Sequence, residues 1–153
     1  MTFVSFIYLI CCIIFCVHSA KLTHRLQQKL NREISKYGVD VSFFQTRIGE
    51  AYLRTQGLVC IPNFSEIRET VYPTDTSLKS EYILWVLQHY ENRFPVDISV
   101  AKCSPGFSPI HINKPVLLNI TSHPMKFCFQ KIAVSCHRTV TAMERMDKRR
   151  LTE

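Results

Sequence analysis

A small, mainly β domain, stapled by disulfides and preceded by an N-terminal amphipathic helix, is the fold that three features of this 153-residue chain predict. Four cysteines, Cys60, Cys103, Cys128 and Cys136, lie beyond an apolar leader, an even number that suits bridging in an exported protein. Apolar and polar residues alternate over short runs between 98 and 136, the period of half-buried strands. Between residues 22 and 37 the apolar positions instead recur every fourth residue, the period of a helix.

The opening run from Phe3 to Val17 is uncharged and rich in Phe, Ile, Leu and Cys, and it ends in Val17-His18-Ser19-Ala20. Small residues there fit a signal peptide over residues 1–19, cut after Ser19 or Ala20. The run falls short of the roughly 20 apolar residues of a bilayer crossing. Lys21 and the polar stretch behind it give no stop-transfer signal, so no stable membrane insertion is expected after leader removal. Cys11, Cys12 and Cys16 leave with the leader, and a secreted, extracellular product of about 133 residues remains, the size of one domain. All 19 Lys and Arg and all 12 Asp and Glu lie beyond the leader, so that product keeps the full formal charge of +7. Such a balance suits an acidic partner, whether protein surface, sulfated glycan or anionic lipid, and equally serves plain solubility.

Leu22, Leu26, Leu30 and Ile34 make the apolar stripe of the helix, Arg25, Lys29, Arg32 and Lys36 stand between them, and Gly38 supplies a stop. Residues 20–58 are read as this helix and a linker. Periodicity alone leaves open whether the helix packs on its own domain, meets a membrane surface or partner, or is trimmed as a pro-segment. From 39 to 80 the pattern breaks up around Pro62 and Pro73 and reads as loop with one short strand.

The domain proper is placed at 59–141. Ile98 to Cys103 alternates; Val116, Leu118 and Ile120 share one face, with Leu117 and Asn119 on the other. Phe127 to Cys136 alternates with Cys128, Ile132, Val134 and Cys136 on one side, and a turn at His123-Pro124 joins the last two runs as a hairpin. Pro115 has no N–H for a ladder, so its strand is expected to start after it or to lie at an edge. Residues 142–153 read as a charged, mobile tail.

On one continuous strand Cys128 and Cys136 stand about 26 Å apart at roughly 3.3 Å per residue, far beyond the roughly 7 Å a disulfide tolerates. Two intrachain arrangements remain: Cys60 with Cys128 and Cys103 with Cys136, or the crossed alternative. The cysteines are read as scaffold.

Catalytic chemistry finds no footing in the sequence, and no enzyme is expected. His89, His111, His123 and His137 are scattered without a helical His-x-x-x-His pair, so no metal is expected. Four glycines form no phosphate-cradling loop, no Gly-x-Ser-x-Gly elbow occurs, and no cofactor is implied. Tyr82, Trp85, Tyr90 and Phe94 among basic residues could stack nucleic-acid bases, but the leader routes the chain away from nucleic acid. Two glycosylation sequons, at Asn63 and Asn119, fit the exported compartment.

One series of motifs is similar to the interleukin-17 family of secreted cytokines. Trp85, then Tyr90-Glu-Asn-Arg-Phe-Pro95, then a strand ending Ala101-Lys-Cys103 resembles that family's central pattern. Phe127-Cys-Phe-Gln-Lys-Ile-Ala-Val-Ser-Cys136 resembles its closing strand, Val116-Leu-Leu the strand before it, and Cys60-Ile-Pro-Asn the opening of its domain. The likeness runs from about Cys60 to Val140 and leaves the basic helix outside. It is that of a divergent member: where the family carries the cysteines of a second core bridge, Ser108 and Arg138 stand here.

The resemblance implies a cystine-knot-like, mostly antiparallel β cytokine, a homodimer that binds a cell-surface interleukin-17-receptor-like ectodomain. It implies that Cys103 pairs with Cys136 and Cys60 with Cys128, within or between chains. In a binding protein energy concentrates in a few aromatic and Arg anchors, and Trp85, Tyr90, Arg93 and Phe94 are the candidates, with core or dimer packing as the competing role for Trp85 and Phe94. The alternatives are another cystine-knot growth-factor-like ligand, a small secreted hydrolase, or a basic antimicrobial, membrane-active effector working through the helix at 22–37.

Overall fold

The longest pairing is a hairpin of β6 (Phe107–Leu118) and β7 (Lys126–Arg138), the two runs expected to form a hairpin, with β6 beginning nine residues before the Val116 expected in it. The computed structural model describes residues 3–61, 64–71, 82–122 and 124–139. Asn63, Pro62, Pro73, His123 and the tail at 142–153 lie outside them.

β1 (Val59–Cys60) joins β7 in parallel and β4 (Arg93–Phe94) joins β6, giving one sheet in the order β1-β7-β6-β4. A second sheet, β2-β3-β5, consists of β2 (Arg68–Val71), β3 (Ile83–His89) and β5 (Asp97–Cys103). The chain is mainly β, as expected. Between the sheets, Ile98, Val100, Val116, Ile132 and Ala133 pack around Cys60 and Cys128.

Two disulfides fasten this arrangement. Cys60 is bonded to Cys128 and Cys103 to Cys136, each with Cα atoms 5.7 Å apart, so both bridges end on β7. One ties it to β1 and the other ties it to β5 in the second sheet.

Pro115 departs from expectation because β6 neither begins after it nor lies at a sheet edge along its whole length. The reason is local. Asn113 gives its N–H to the Gln45 side chain at 2.7 Å, away from β7, and Gln45 Nε2 in turn donates to the Asn113 carbonyl at 2.8 Å. Two residues on, the Pro115 nitrogen faces the same side. β4 pairs only with Leu117 and Leu118 there, so no ladder bond is missed.

Helix α1 (Phe3–Ser35) continues past both expected leader cleavage points, and Gly38 follows with φ +62°, the left-handed geometry a glycine stop requires. Leu26 and Leu30 are buried against Phe94 and Leu117, with Ile34, Ile120, Met125 and Phe127 around them. Three of the four stripe residues, Leu26, Leu30 and Ile34, are therefore spent on the helix's own domain, while Leu22 is exposed. All three docking residues lie beyond Ala20.

Residues 39–58, expected as loop, hold a 3-10 segment at Val41–Gln45 and α2 (Arg47–Thr55). Thr46 caps α2 by accepting the Gly49 N–H at 3.0 Å, and Gly49 lies against the Phe43–Phe44 backbone, where a Cβ would come within 2.1 Å of the Phe43 carbonyl oxygen. That close approach brings Phe44 and Leu53, both fully enclosed, onto Phe129. Thus residues 20–58 supply core to the strands that follow them. Truncating Leu53 to Ala would cost about 2–5 kcal/mol.

The acidic residues at these joints set a pH limit. Hydrogen bonds from Lys131 and then Arg54 hold Glu50 below its ordinary 4.5, Lys102 and then Gln88 do the same for Glu69, and the Ser42 N–H lowers Asp40. Folding lowers these pKa values, so the stability they contribute is present above the ordinary carboxylate range and is lost as pH falls through the folded values. Unfolding curves should show stability falling below about pH 4.5, with a flatter acid limb in Glu50→Gln/Glu69→Gln.

Candidate functional site

β3 and β5 put direct partners on the same face of their sheet, so Trp85 with Ala101, Leu87 with Ser99, and His89 with Asp97 share one side. Trp85 is 36 % exposed, a large aromatic side chain presented to solvent. At the far end of this face the His89 Nδ1 and Asp97 Oδ1 lie 2.7 Å apart. Arg68 of β2 approaches Glu91 at 3.6 Å, and His89 Nε2 is 4.0 Å from the same carboxylate.

These groups open into a polar cleft of 410 Å³ lined by Ser65, Glu66, Arg68, His89, Tyr90 and Glu91, with Asn92 and Thr121 at its other side. Asn92 holds that side in place. Its carbonyl accepts the Asn119 N–H at 2.9 Å and its Oδ1 accepts the Thr121 hydroxyl at 2.9 Å. The cleft offers two carboxylates, a guanidinium, an imidazole and an amide near water, a set suited to hydrogen-bonding the polar side chains of a partner. Exposed ion pairs of this kind add little stability, so their placement matters more than their energy.

Of the other three proposed anchors, Tyr90 borders the cleft and Arg93 and Phe94 do not. Tyr90 is buried to 8 % exposure, with only an edge at the cleft; burial, and then a hydrogen bond to Glu66, raise its pKa. Phe94 lies under α1 beside Leu26 and Leu30. Arg93 is fully enclosed.

Arg93 is built into the fold by neutral acceptors. Its Nε donates to the Pro95 carbonyl at 3.1 Å, Nη1 to Gln130 Oε1 at 2.9 Å, and Nη2 to the carbonyls of Gln88 at 3.0 Å and Val96 at 3.1 Å. One side chain thus joins the end of β3, the turn at 95–96 and β7. Desolvation pushes its pKa down to about 10, partly countered by Asp97 and Tyr90, and the guanidinium stays charged at neutral pH. In this chain Arg93 has no exposed surface and Phe94 is 7 % exposed, so both are packing residues here, the competing role already named for Phe94.

Asn119 is exposed, and a turn, not strand alternation, is the reason. The strand has ended at Leu118, and Asn119 takes φ +58° in the turn that follows, a conformation Asn tolerates. Val116 and Leu117, on opposite faces of β6, are both fully buried, so strand alternation there does not separate core from solvent.

The His89–Asp97 and Arg68–Glu91 pairs were not evident beforehand. Ile83 to Leu87 is a continuous apolar run without a two-residue period, so β3 gives no register by which to set His89 opposite Asp97. Among the described residues no three His, Cys, Asp or Glu side chains are grouped to hold a metal ion, and no helix is long and apolar enough to cross a membrane. No family model matches the chain, and neither a curated protein nor a solved structure matches it significantly.

Proposed function

We propose that the chain is a secreted interleukin-17-like cytokine of cystine-knot-like type that binds a cell-surface, interleukin-17-receptor-like ectodomain and signals as a homodimer, with no catalysis of its own. The observation that carries this reading is the bridge pattern. Cys60–Cys128 and Cys103–Cys136 are the pairs that the motif resemblance implies, here formed within one chain. Two disulfides also suit the oxidising route of an exported protein.

The antimicrobial reading is disfavoured by the packing of α1. A membrane-active amphipathic helix inserts its apolar face, and here Leu26 and Leu30 are buried in the domain. The recognition surface we assign is the Trp85 face of β3 and β5 with the cleft beside it. A glycan on Asn119 would project from the turn next to Thr121, at the rim of that cleft.

The test is binding of the exported, bridged protein to the receptor-like ectodomain from the same source. Saturable binding is expected, lost on reduction, and weakened about tenfold or more by Trp85→Ala with secretion unchanged. Failure of the bridged protein to bind saturably, or binding undiminished by reduction, contradicts the proposal.

A further inference from the structure

We propose a second binding surface on this molecule: the exposed flank of α1, which takes a linear sulfated polysaccharide along Lys21, Arg25, Lys29, Arg32 and Lys36. The inference uses the exported state proposed above and is independent of the receptor. At 100° per residue, the five side chains fall within about 80° of the helix circumference and extend over about 22 Å of its axis. They form one line of positive charge.

That line is unusually free of compensation. Lys36 pairs with Glu33 at 2.7 Å and Lys29 Nζ is 3.7 Å from Met125 Sδ. Among the described residues, no carboxylate pairs with Lys21, Arg25 or Arg32, all of which are exposed. By contrast, Arg54 and Lys131 share Glu50, Lys102 pairs with Glu69, and Arg68 pairs with Glu91. Those four cations are tied up locally, whereas three of the stripe's five stand in one row with no carboxylate partner among the described residues.

The stripe is also rigid. Leu26, Leu30 and Ile34 seat the adjoining face of the helix on Phe94, Leu117 and Phe127, so the cations are held in register before any ligand arrives, which lowers the ordering cost of binding. The same seating argues against an anionic membrane as the occupant. A lipid surface retains such a helix through its apolar face as well as its charge, and Leu26, Leu30 and Ile34 of that face are already covered, leaving Leu22 alone exposed among its four residues. A polyanion needs charge alone, presented in a row. In an extracellular setting, sulfated polysaccharide has that form. Leader cleavage after Ser19 or Ala20 would leave all five residues in place.

Heparin is the probe, immobilised and offered to the purified full-length exported protein near physiological salt. Arg25→Gln/Lys29→Gln/Arg32→Gln should weaken binding about tenfold or more, since each cation at an anionic surface contributes severalfold. Arg47→Gln/Arg54→Gln/Lys114→Gln removes equal charge elsewhere and should change it less than about threefold. Should the first variant lose its bridges, Arg25→Gln/Arg32→Gln alters only exposed side chains and is expected to weaken binding in the same direction. Equal loss in the two triple variants, no binding by the unaltered protein, or equally strong capture by phosphatidylserine vesicles would overturn the proposal. Heparin binding that persists where the receptor ectodomain is not bound would separate failure of the cytokine reading from failure of this one.

Discussion

Arg93→Ala is expected to destabilise the fold by about 3–5 kcal/mol, a large value for one substitution, of the kind reached by breaking a buried hydrogen-bond network. Truncation leaves the carbonyls of Pro95, Gln88 and Val96 and the Gln130 Oε1 without the donor they face. Each buried acceptor left bare carries a desolvation cost of about 1–3 kcal/mol before relaxation. Arg93→Lys should recover only part of the loss, because a compact ammonium cannot reproduce the planar fork that reaches four acceptors in three segments. Urea denaturation of secreted protein measures both. An unchanged midpoint for the Ala variant would show that the network does not hold β3 to β7.

Removing either bridge should be comparably severe. In the chain-entropy view, closing loops of 68 and 33 residues constrains the unfolded chain by about 4 kcal/mol each. That is a large share of the typical stability of a domain this size, about 5–15 kcal/mol. Cys60→Ala/Cys128→Ala also opens space in the fully buried surroundings of Cys128, beside Val116. Cys103→Ala/Cys136→Ala instead frees β5 from β7 at the more exposed end. Secreted yield and thermal midpoint should therefore fall in both pairs, further in the first. A 60/128 variant as stable as the parent would place the stabilisation elsewhere.

What could be read in advance follows from how each element meets the core. β5, β6 and β7 were legible because part of each alternates, and the two-residue period survives wherever one face is wet. β3 was not, since Ile83 to Leu87 offers no polar partner positions. α2 escaped notice because its inward face within nine residues is only Gly49 and Leu53, too little to register as an apolar stripe. The helix at 22–37 was visible, whereas its docking depended on Phe94, Leu117 and Phe127, distant in sequence. The cysteine pairing was narrowed by strand length and chosen by the motif resemblance. Of the four proposed anchors Trp85 is the one on an open strand face, because neither β3 nor the two-residue β4 carries a period that shows whether its Trp or Arg points out, as Trp85 does, or inward, as Arg93 does.

The central claim is that an exported ligand keeps its recognition face through two intrachain bridges ending on β7. Peptide mapping of the secreted protein under non-reducing conditions tests this most directly. The account predicts a product beginning at Ala20 or Lys21 in which the peptide holding Cys128 is linked to that of Cys60, and the peptide holding Cys136 to that of Cys103. Free thiols at 103 and 136, or links to other cysteines, would contradict it.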